Sequence, residues 1–183
     1  MSAFTLTASP PLPRLSHIVD IHVDLAPPVP GGVTQHGGPV NFFEITGGVI
    51  TSSTNSPHGS GLNATILPGG GDYTTLHPAA GVVTLDINIV ARDSAGTLYR
   101  FQNSGFIHLT EAVKKVLMGA PDAQGTEFGE EGVFETIRCS TSSEEHGWLN
   151  FATVVAQGRL VVDDAKLTGI QFRAFELLKQ ELI

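Results

Sequence analysis

The stretch Val82-Val83-Thr84-Leu85-Asp86-Ile87-Asn88-Ile89-Val90-Ala91-Arg92 decides the fold. Val83, Leu85, Ile87 and Ile89 fall on one face of an extended chain, and Thr84, Asp86, Asn88 and Val90 on the other. A period of two belongs to a β-strand, whose successive side chains point to opposite sides of the pleat. Asp93–Gly96 supplies turn chemistry, and Thr97–Phe101 returns as the hairpin partner. Upstream, Val19, Ile21, Val23 and Leu25 alternate with Ile18, Asp20, His22 and Asp24, the pattern of a half-buried strand.

The same reading extends along the chain. Asn41–Ile45 and Gly48–Thr51 read as strand, turn and strand, and Asn63–Leu67 as a short strand. Val133–Cys139, Trp148–Gln157 and Thr168–Phe175 complete the set. Ala26–Gly38 is a Pro/Gly loop and Thr54–Leu62 a polar one. Thr110 is placed to cap a short helix over Glu111–Met118, which Gly119-Ala120-Pro121 stops. Glu176–Ile183 is a short terminal helix or a frayed end. Met1–Pro13, with prolines at 10, 11 and 13, is an extended arm ahead of a single domain over residues 14–183.

The expected architecture is therefore all-β: an antiparallel barrel of about eight to ten strands with one short helix. Closure disposes of strand edges, and a barrel of this size can hold one small ligand. The facing of Val82–Arg92 stays open. If its aliphatic face packs outward, Asp86 and Asn88 line the lumen; if inward, they are solvated.

Composition narrows the function classes. The 183 residues suffice for one sizeable core, and 21 Gly and 11 Pro against 10 Lys+Arg favour turns over long charged helices. A net charge of −8 without a basic cluster argues against nucleic acid and anionic membrane as partners. Cys139 is the single cysteine, so no intramolecular disulfide forms, and its surroundings suit a buried small hydrophobe. No signal peptide or bilayer-spanning run is apparent, so a cytoplasmic protein is expected. The seven histidines show no metal-ligand spacing, and Gly69–Gly71 lacks the Lys-Ser/Thr of a phosphate loop. No metal or cofactor is expected.

The most distinctive motif is Ile66-Leu67-Pro68-Gly69-Gly70-Gly71-Asp72-Tyr73. Three glycines permit φ > 0 and close approach of another group, and an acid and a phenol follow at once. With Asp86 on the strand and Trp148-Leu149-Asn150 late in the chain, this turn resembles the small β-barrel family DUF3237. Ile45-Thr46-Gly47-Gly48 and Gly158 fit the same pattern, which spans residues 17–175. The resemblance implies an antiparallel barrel with a central cavity and no established chemistry. Relatives usually carry Arg where this chain has Asn88, and Phe-Arg-Thr where it reads Phe134-Glu135-Thr136. If those arginines hold an anion, this chain takes a neutral or apolar organic ligand instead. Divergent members of this style resemble natural-product pathway proteins.

Candidate chemistry follows from residue types. Asp72 and Tyr73 could act as an acid/base pair at a pocket rim; otherwise Asp72 accepts turn amides and Tyr73 caps the barrel. Asp86 and Asn88 could supply a carboxylate and an amide to the lumen, or lie on a solvent face. His77, before Pro78, and His108, at the mouth end of a strand, are candidate proton shuttles or ordinary surface histidines. Trp148 and Asn150 would share a strand face and offer a flat wall and a directional hydrogen bond. Glu44 and Glu135 are candidates for a second carboxylate opposite Asp86.

Two functions fit. One is a cofactor-independent enzyme, an isomerase, cyclase or dehydratase, that works on a small apolar metabolite by acid/base catalysis. The other is a lipocalin-like binding barrel with a lumen of aliphatic and aromatic groups only. A homodimer is expected because the strands carry more apolar faces than one helix covers.

Overall fold

The computed structural model describes residues 12–35, 38–130 and 132–179. The expected arm lies outside these residues except for Leu12 and Pro13, as does His36. In chain order the strands are β1 (Arg14–Leu25), β2 (Val29–Val33), β3 (Pro39–Ser52), β4 (Asn63–Ile66) and β5 (Gly70–His77). They continue with β6 (Val82–Asp93), β7 (Leu98–His108), helix α1 (Glu111–Leu117), β8 (Val133–Thr141), β9 (Val154–Asp163) and β10 (Lys166–Leu178).

The strands form one antiparallel sheet in the order β1-β10-β9-β8-β7-β6-β4-β3-β2, and β1 also pairs with β3. That extra pairing returns the ladder to its start and gives a barrel-like closed surface. β4 and β5 share one place in it. β4 bridges β3 and β6 at Val49–Thr51 and Ala91–Asp93, and β5 bridges them further along both strands.

The open question of facing is answered on β6. Val83, Leu85, Ile87, Ile89 and Ala91 are all buried inside the barrel, so Thr84, Asp86 and Val90 are exposed. Val19, Ile21 and Val23 of β1 and Ile170, Phe172 and Ala174 of β10 complete the interior. Period-two alternation lets every strand give one face to the core while the outer face stays polar enough for water.

Five elements differ from the sequence reading. Within the expected Pro/Gly loop, Val29–Val33 forms a short exposed strand, β2, on β3. The expected strand-turn-strand over 41–51 is one continuous strand, β3, bent at Gly47-Gly48, because Gly48 adopts φ +132 where a turn was read. On one side of this corner β3 pairs with β5, on the other with β4, while β1 runs beside it. The glycine motif is less a turn than a strand start. Gly69, at φ +104, makes the bend, and Gly70 and Gly71 already belong to β5. Finally, Trp148–Asn150 lies in a 3-10 turn and the strand begins only at Val154. The chain end read as helix or fray continues β10 through Leu178, with residues 180–183 outside the described set.

Helix α1 forms as expected. The Thr110 hydroxyl accepts from the Val113 amide at 3.2 Å, and Val113 and Val116 bury against the end of the barrel. Among the described residues no helix is long and apolar enough to cross a membrane.

A candidate active site at the helical end of the barrel

A cavity of about 360 Å³ lies inside this end. Phe43, Leu76, Val83, Leu85, Ile107, Leu160 and Ile170 make its apolar wall. The last turn of α1, through Val116 and Met118, and Pro27-Pro28 after β1 complete it, with Lys166 at the edge. Its polar residues besides Lys166 are Asn41, Asp72 and Thr74. A mostly apolar hollow with a few fixed polar groups is the usual form of a small-molecule site.

Asp72 is directed inward by the register of β5. It stands opposite Phe43 on β3 and Ile87 on β6, both buried core residues. Between the pairs Asp72–Ile87 and Thr75–Thr84 the β5–β6 ladder is interrupted. There the Asp86 amide donates to Oδ1 of Asp72 at 3.2 Å, so the side chain takes over a main-chain partner. The glycines ahead of it are there for closeness. A Cβ on Gly71 would lie 2.1 Å from the Phe42 ring, and one on Gly70 2.3 Å from the Asn88 carbonyl oxygen. Only bare backbone lets β5 enter between β3 and β6 at that level.

Burial governs the chemistry of this acid. Removal from water pushes the Asp72 carboxyl up from 3.8 to about 7; the Asp86 amide pulls it down and the Asp86 charge adds a further push upward. A carboxyl that titrates near neutrality is suited to take or give a proton.

A second acid lies deeper in. Glu135 on β8 is buried beside Asn103 on β7, whose Nδ2 donates to Glu135 Oε2 at 2.8 Å. Burial holds the Glu135 carboxyl well above the ordinary carboxylate range; the Asn103 bond opposes this and the Asp72 charge reinforces it. Burial thus favours the neutral form of Glu135. Glu135 Oε1 and Asn103 Oδ1 have no hydrogen-bond partner among the described residues.

The remaining candidates are scattered. Asp86 and Glu44 point away from the lumen and are exposed, because their strand neighbours Leu85, Ile87, Phe43 and Ile45 take the inner positions. Asn88 is half-buried on the same outer face as Asp86. Tyr73, one residue past Asp72, is exposed for the same reason and packs its ring against Phe42 at 4.8 Å. The Asp72–Tyr73 pair therefore cannot act on one ligand, since adjacent strand residues face opposite ways. His77 reaches the Thr84 hydroxyl at 3.2 Å on the outside, and His108 is exposed beside Phe106.

Trp148 and Asn150 sit at the other end of β7 and β8. Trp148 stacks on His58 with ring centroids 3.8 Å apart, and His58 Nε2 lies 2.6 Å from Glu176 Oε2. Asn150 holds the amide and carbonyl of Thr141 and the carbonyl of Gly147, which makes it a turn-fixing residue rather than a ligand contact. Cys139 is buried, and burial pushes its thiol up to about 12.

Of the expected residues, Asp72 and Glu135 are brought into the interior together, and Glu135 is the second carboxylate of Asp72, not of Asp86. Asn103 was missed. Its signal is visible once β7 is extended past Phe101: it stands in register with Tyr99, Phe101 and Ile107 on an otherwise apolar face.

The similarities to known proteins agree with this architecture. The chain is 32% identical over 177 residues to a protein of Penicillium roqueforti (strain FM164) named PR-toxin biosynthesis cluster protein 7, covering 92% of this chain and 94% of that one. A conserved protein of unknown function from Rhodopseudomonas palustris shares the fold at a TM-score of 0.75 and 16% identity, over 92% of this chain and 99% of that one. A β-barrel-like protein from Acinetobacter baumannii AYE matches at a TM-score of 0.68 and 23% identity, over 92% of this chain and 98% of that one. The model of the family described as protein of unknown function (DUF3237) matches residues 13–177, nearly the whole barrel, and the chain belongs to that family.

Proposed function

We propose that this chain is an enzyme that moves a proton on a small apolar or neutral metabolite held in the barrel, as an isomerase, cyclase or dehydratase does. The observation that carries the reading is Asp72: a carboxyl titrating near 7 on the wall of a mostly apolar cavity. Its carboxylate form abstracts a proton beside a carbonyl or leaving group, and its acid form returns one to another carbon or to the departing hydroxyl, which leaves as water. The aliphatic wall keeps water out and folds the substrate, so that orientation contributes part of the rate. The residues invoked act without a cofactor. The relative named for a biosynthesis cluster supports a setting in natural-product metabolism.

A pure carrier asks for a lumen of aliphatic and aromatic groups alone. Asp72, Glu135 and Asn103 lie inside this one, and each costs stability to bury. That cost is the reason to prefer the catalytic reading.

The test is to incubate purified protein, wild type and Asp72→Asn, with a metabolite extract in deuterated water. The expected outcome is a protein-dependent product, either isomeric with its precursor or lighter by one water and carrying deuterium, that the variant fails to make. The same conversion at the same rate by the variant would sink the proposal.

The reading also retains a homodimer. On the outer face, Leu15, Phe106, Phe134 and Phe175 line an apolar groove across β1, β7, β8 and β10. Light scattering at micromolar concentration is expected to return twice the chain mass, and Phe106→Glu to halve it. A wild-type mass of one chain would count against the dimer.

A further inference from the structure

We infer that the side-chain amide of Asn41 holds a carbonyl oxygen of the ligand, so that the substrate class is an enolisable ketone, aldehyde or ester on an apolar skeleton. This deepens the proposed reading and rests on the cavity being the site where Asp72 works.

Asn41 and Asp72 line the same cavity from neighbouring strands. In the pairing of β3 with β5, Asn41 stands opposite Thr74, and Phe43 opposite Asp72. Residues two apart on a strand point the same way, so all four share the inner face. Asn41 and Asp72 are therefore diagonal neighbours, a relation that sets their Cβ atoms about 7 Å apart. Phe43, directly across from Asp72, is buried and apolar. Asn41 is thus the polar side chain that β3 gives to this wall, and it lies one repeat nearer the helical end than the acid.

The chemistry of proton removal asks for a group of this kind. A carbanion beside a carbonyl is stabilised as its enolate, and the enolate oxygen needs a hydrogen-bond donor. Few donors are free on this wall. The Thr74 hydroxyl donates to the main-chain carbonyl of Asn41 at 3.4 Å, and Lys166 stands at the edge. The half-buried side-chain amide of Asn41 makes no hydrogen bond among the described residues, so its N–H groups are left for a ligand. An H–C–C=O unit, bonded to the amide at its oxygen and abutting the carboxylate at its C–H, spans such a gap. The Asp72 carboxylate takes the α-proton, the C–H pair becomes the C=C bond, and the carbonyl pair moves to the oxygen held by Asn41. The acid form of Asp72 returns the proton to the same carbon or to a conjugated one, and the pair flows back from oxygen.

The experiment has a binding arm and an exchange arm. In the first, 2-acetylnaphthalene and 2-isopropenylnaphthalene, alike in shape but differing in the carbonyl oxygen, are titrated calorimetrically into wild type and Asn41→Leu. Wild type is expected to prefer the ketone by about ten-fold, the effect of one matched hydrogen bond. Asn41→Leu keeps the bulk of the side chain and is expected to bind the two alike; should it fail to fold, Asn41→Ala reads the same loss. Equal affinity in wild type, a preference that survives in the variant, or no binding of either probe by wild type overturns the inference. A preference that falls with Lys166→Met and not with Asn41→Leu overturns it as well, since the rim amine would then hold the oxygen. In the second arm, deuterium uptake into the methyl group of the ketone is followed by mass spectrometry in deuterated water. Asn41→Leu is expected to slow the protein-dependent uptake by about 10²-fold, as the loss of one oxyanion donor does. Uptake that is unchanged in the variant overturns the inference. An absence of uptake in wild type, beside an intact ketone preference that Asn41→Leu removes, strikes Asp72 as the base and supports Asn41 as the carbonyl contact, so the two proposals fall separately.

Discussion

Asp72 and Asp86 are carboxylates on adjacent strands, joined by a hydrogen bond from the Asp86 amide to Asp72 Oδ1. Chemically alike, they differ in environment: one is inside an apolar wall and the other in water. Replacing each by Asn therefore separates environment from mere presence. Asp72→Asn is expected to reduce turnover by roughly 10²–10⁴-fold, the usual contribution of a positioned acid or base. Asp86→Asn, which keeps its main-chain amide, is expected to leave turnover within about two-fold, since an exposed side chain off the cavity touches no substrate. The pH profile assigns the form at work. If the carboxylate is the base, kcat/KM climbs through about pH 7 to a plateau, and that limb disappears in the Asn variant. A limb falling through the same pH identifies the acid form. A profile flat between pH 5 and 9 removes Asp72 from the chemistry.

At the scale of elements, the corner of β3 is where the barrel is least tolerant. Gly48 sits at φ +132, and a Cβ there would lie 2.0 Å from the main-chain carbonyl oxygen of His22. Backbone on β1 cannot withdraw without breaking the pairing that closes the ladder. Gly96, in the β6–β7 turn at φ +89, meets nothing within 4 Å. Gly48→Ala is expected to destabilise by more than about 3 kcal/mol and Gly96→Ala by about 1 kcal/mol. Urea melts of the two variants check the order; equal losses would show that the corner is not under constraint.

These elements also show what was legible beforehand. The alternation at 82–92 and the Thr110 cap were readable because each depends on near neighbours. The inner face of β6 was not, because either face of an isolated strand can turn inward until its partners are known. The 3-10 turn at Trp148 was hidden because Ala152, Val154 and Ala156 continue its alternation, while the hydrogen bonds of Asn150 to Thr141 join distant positions. Glu135 is legible as an acid among apolar strand residues, whereas its partner Asn103 lies past Phe101, where Gln102, Ser104 and Gly105 blur the alternation of β7.

For the whole molecule, the interior acids make stability depend on pH in the direction opposite to a salt-bridged surface. The Asp72 carboxyl titrates at 3.8 when exposed in the unfolded chain and at about 7 in the barrel. Between those values the folded protein holds a proton that the unfolded one has released, so stability falls as pH rises through the interval. Below it the contribution is fully favourable; above about pH 7 it has been lost. At about 1.4 kcal/mol per unit the full span is of the order of 4 kcal/mol, and Glu135, raised by burial, acts in the same direction. Asp72→Asn removes the first of these titrations while its carbonyl can still accept from the Asp86 amide. The variant is therefore expected to melt roughly 5–10 °C above wild type at pH 8, with the gap closing toward pH 4. Calorimetric melts at the two pH values read this directly. Such a gain would mean that the barrel keeps an ionisable group at the expense of stability, which selection tolerates at working sites. A variant no more stable than wild type at pH 8 would mean that the Asp72 carboxylate is well solvated, and the proton-transfer proposal would lose its physical basis.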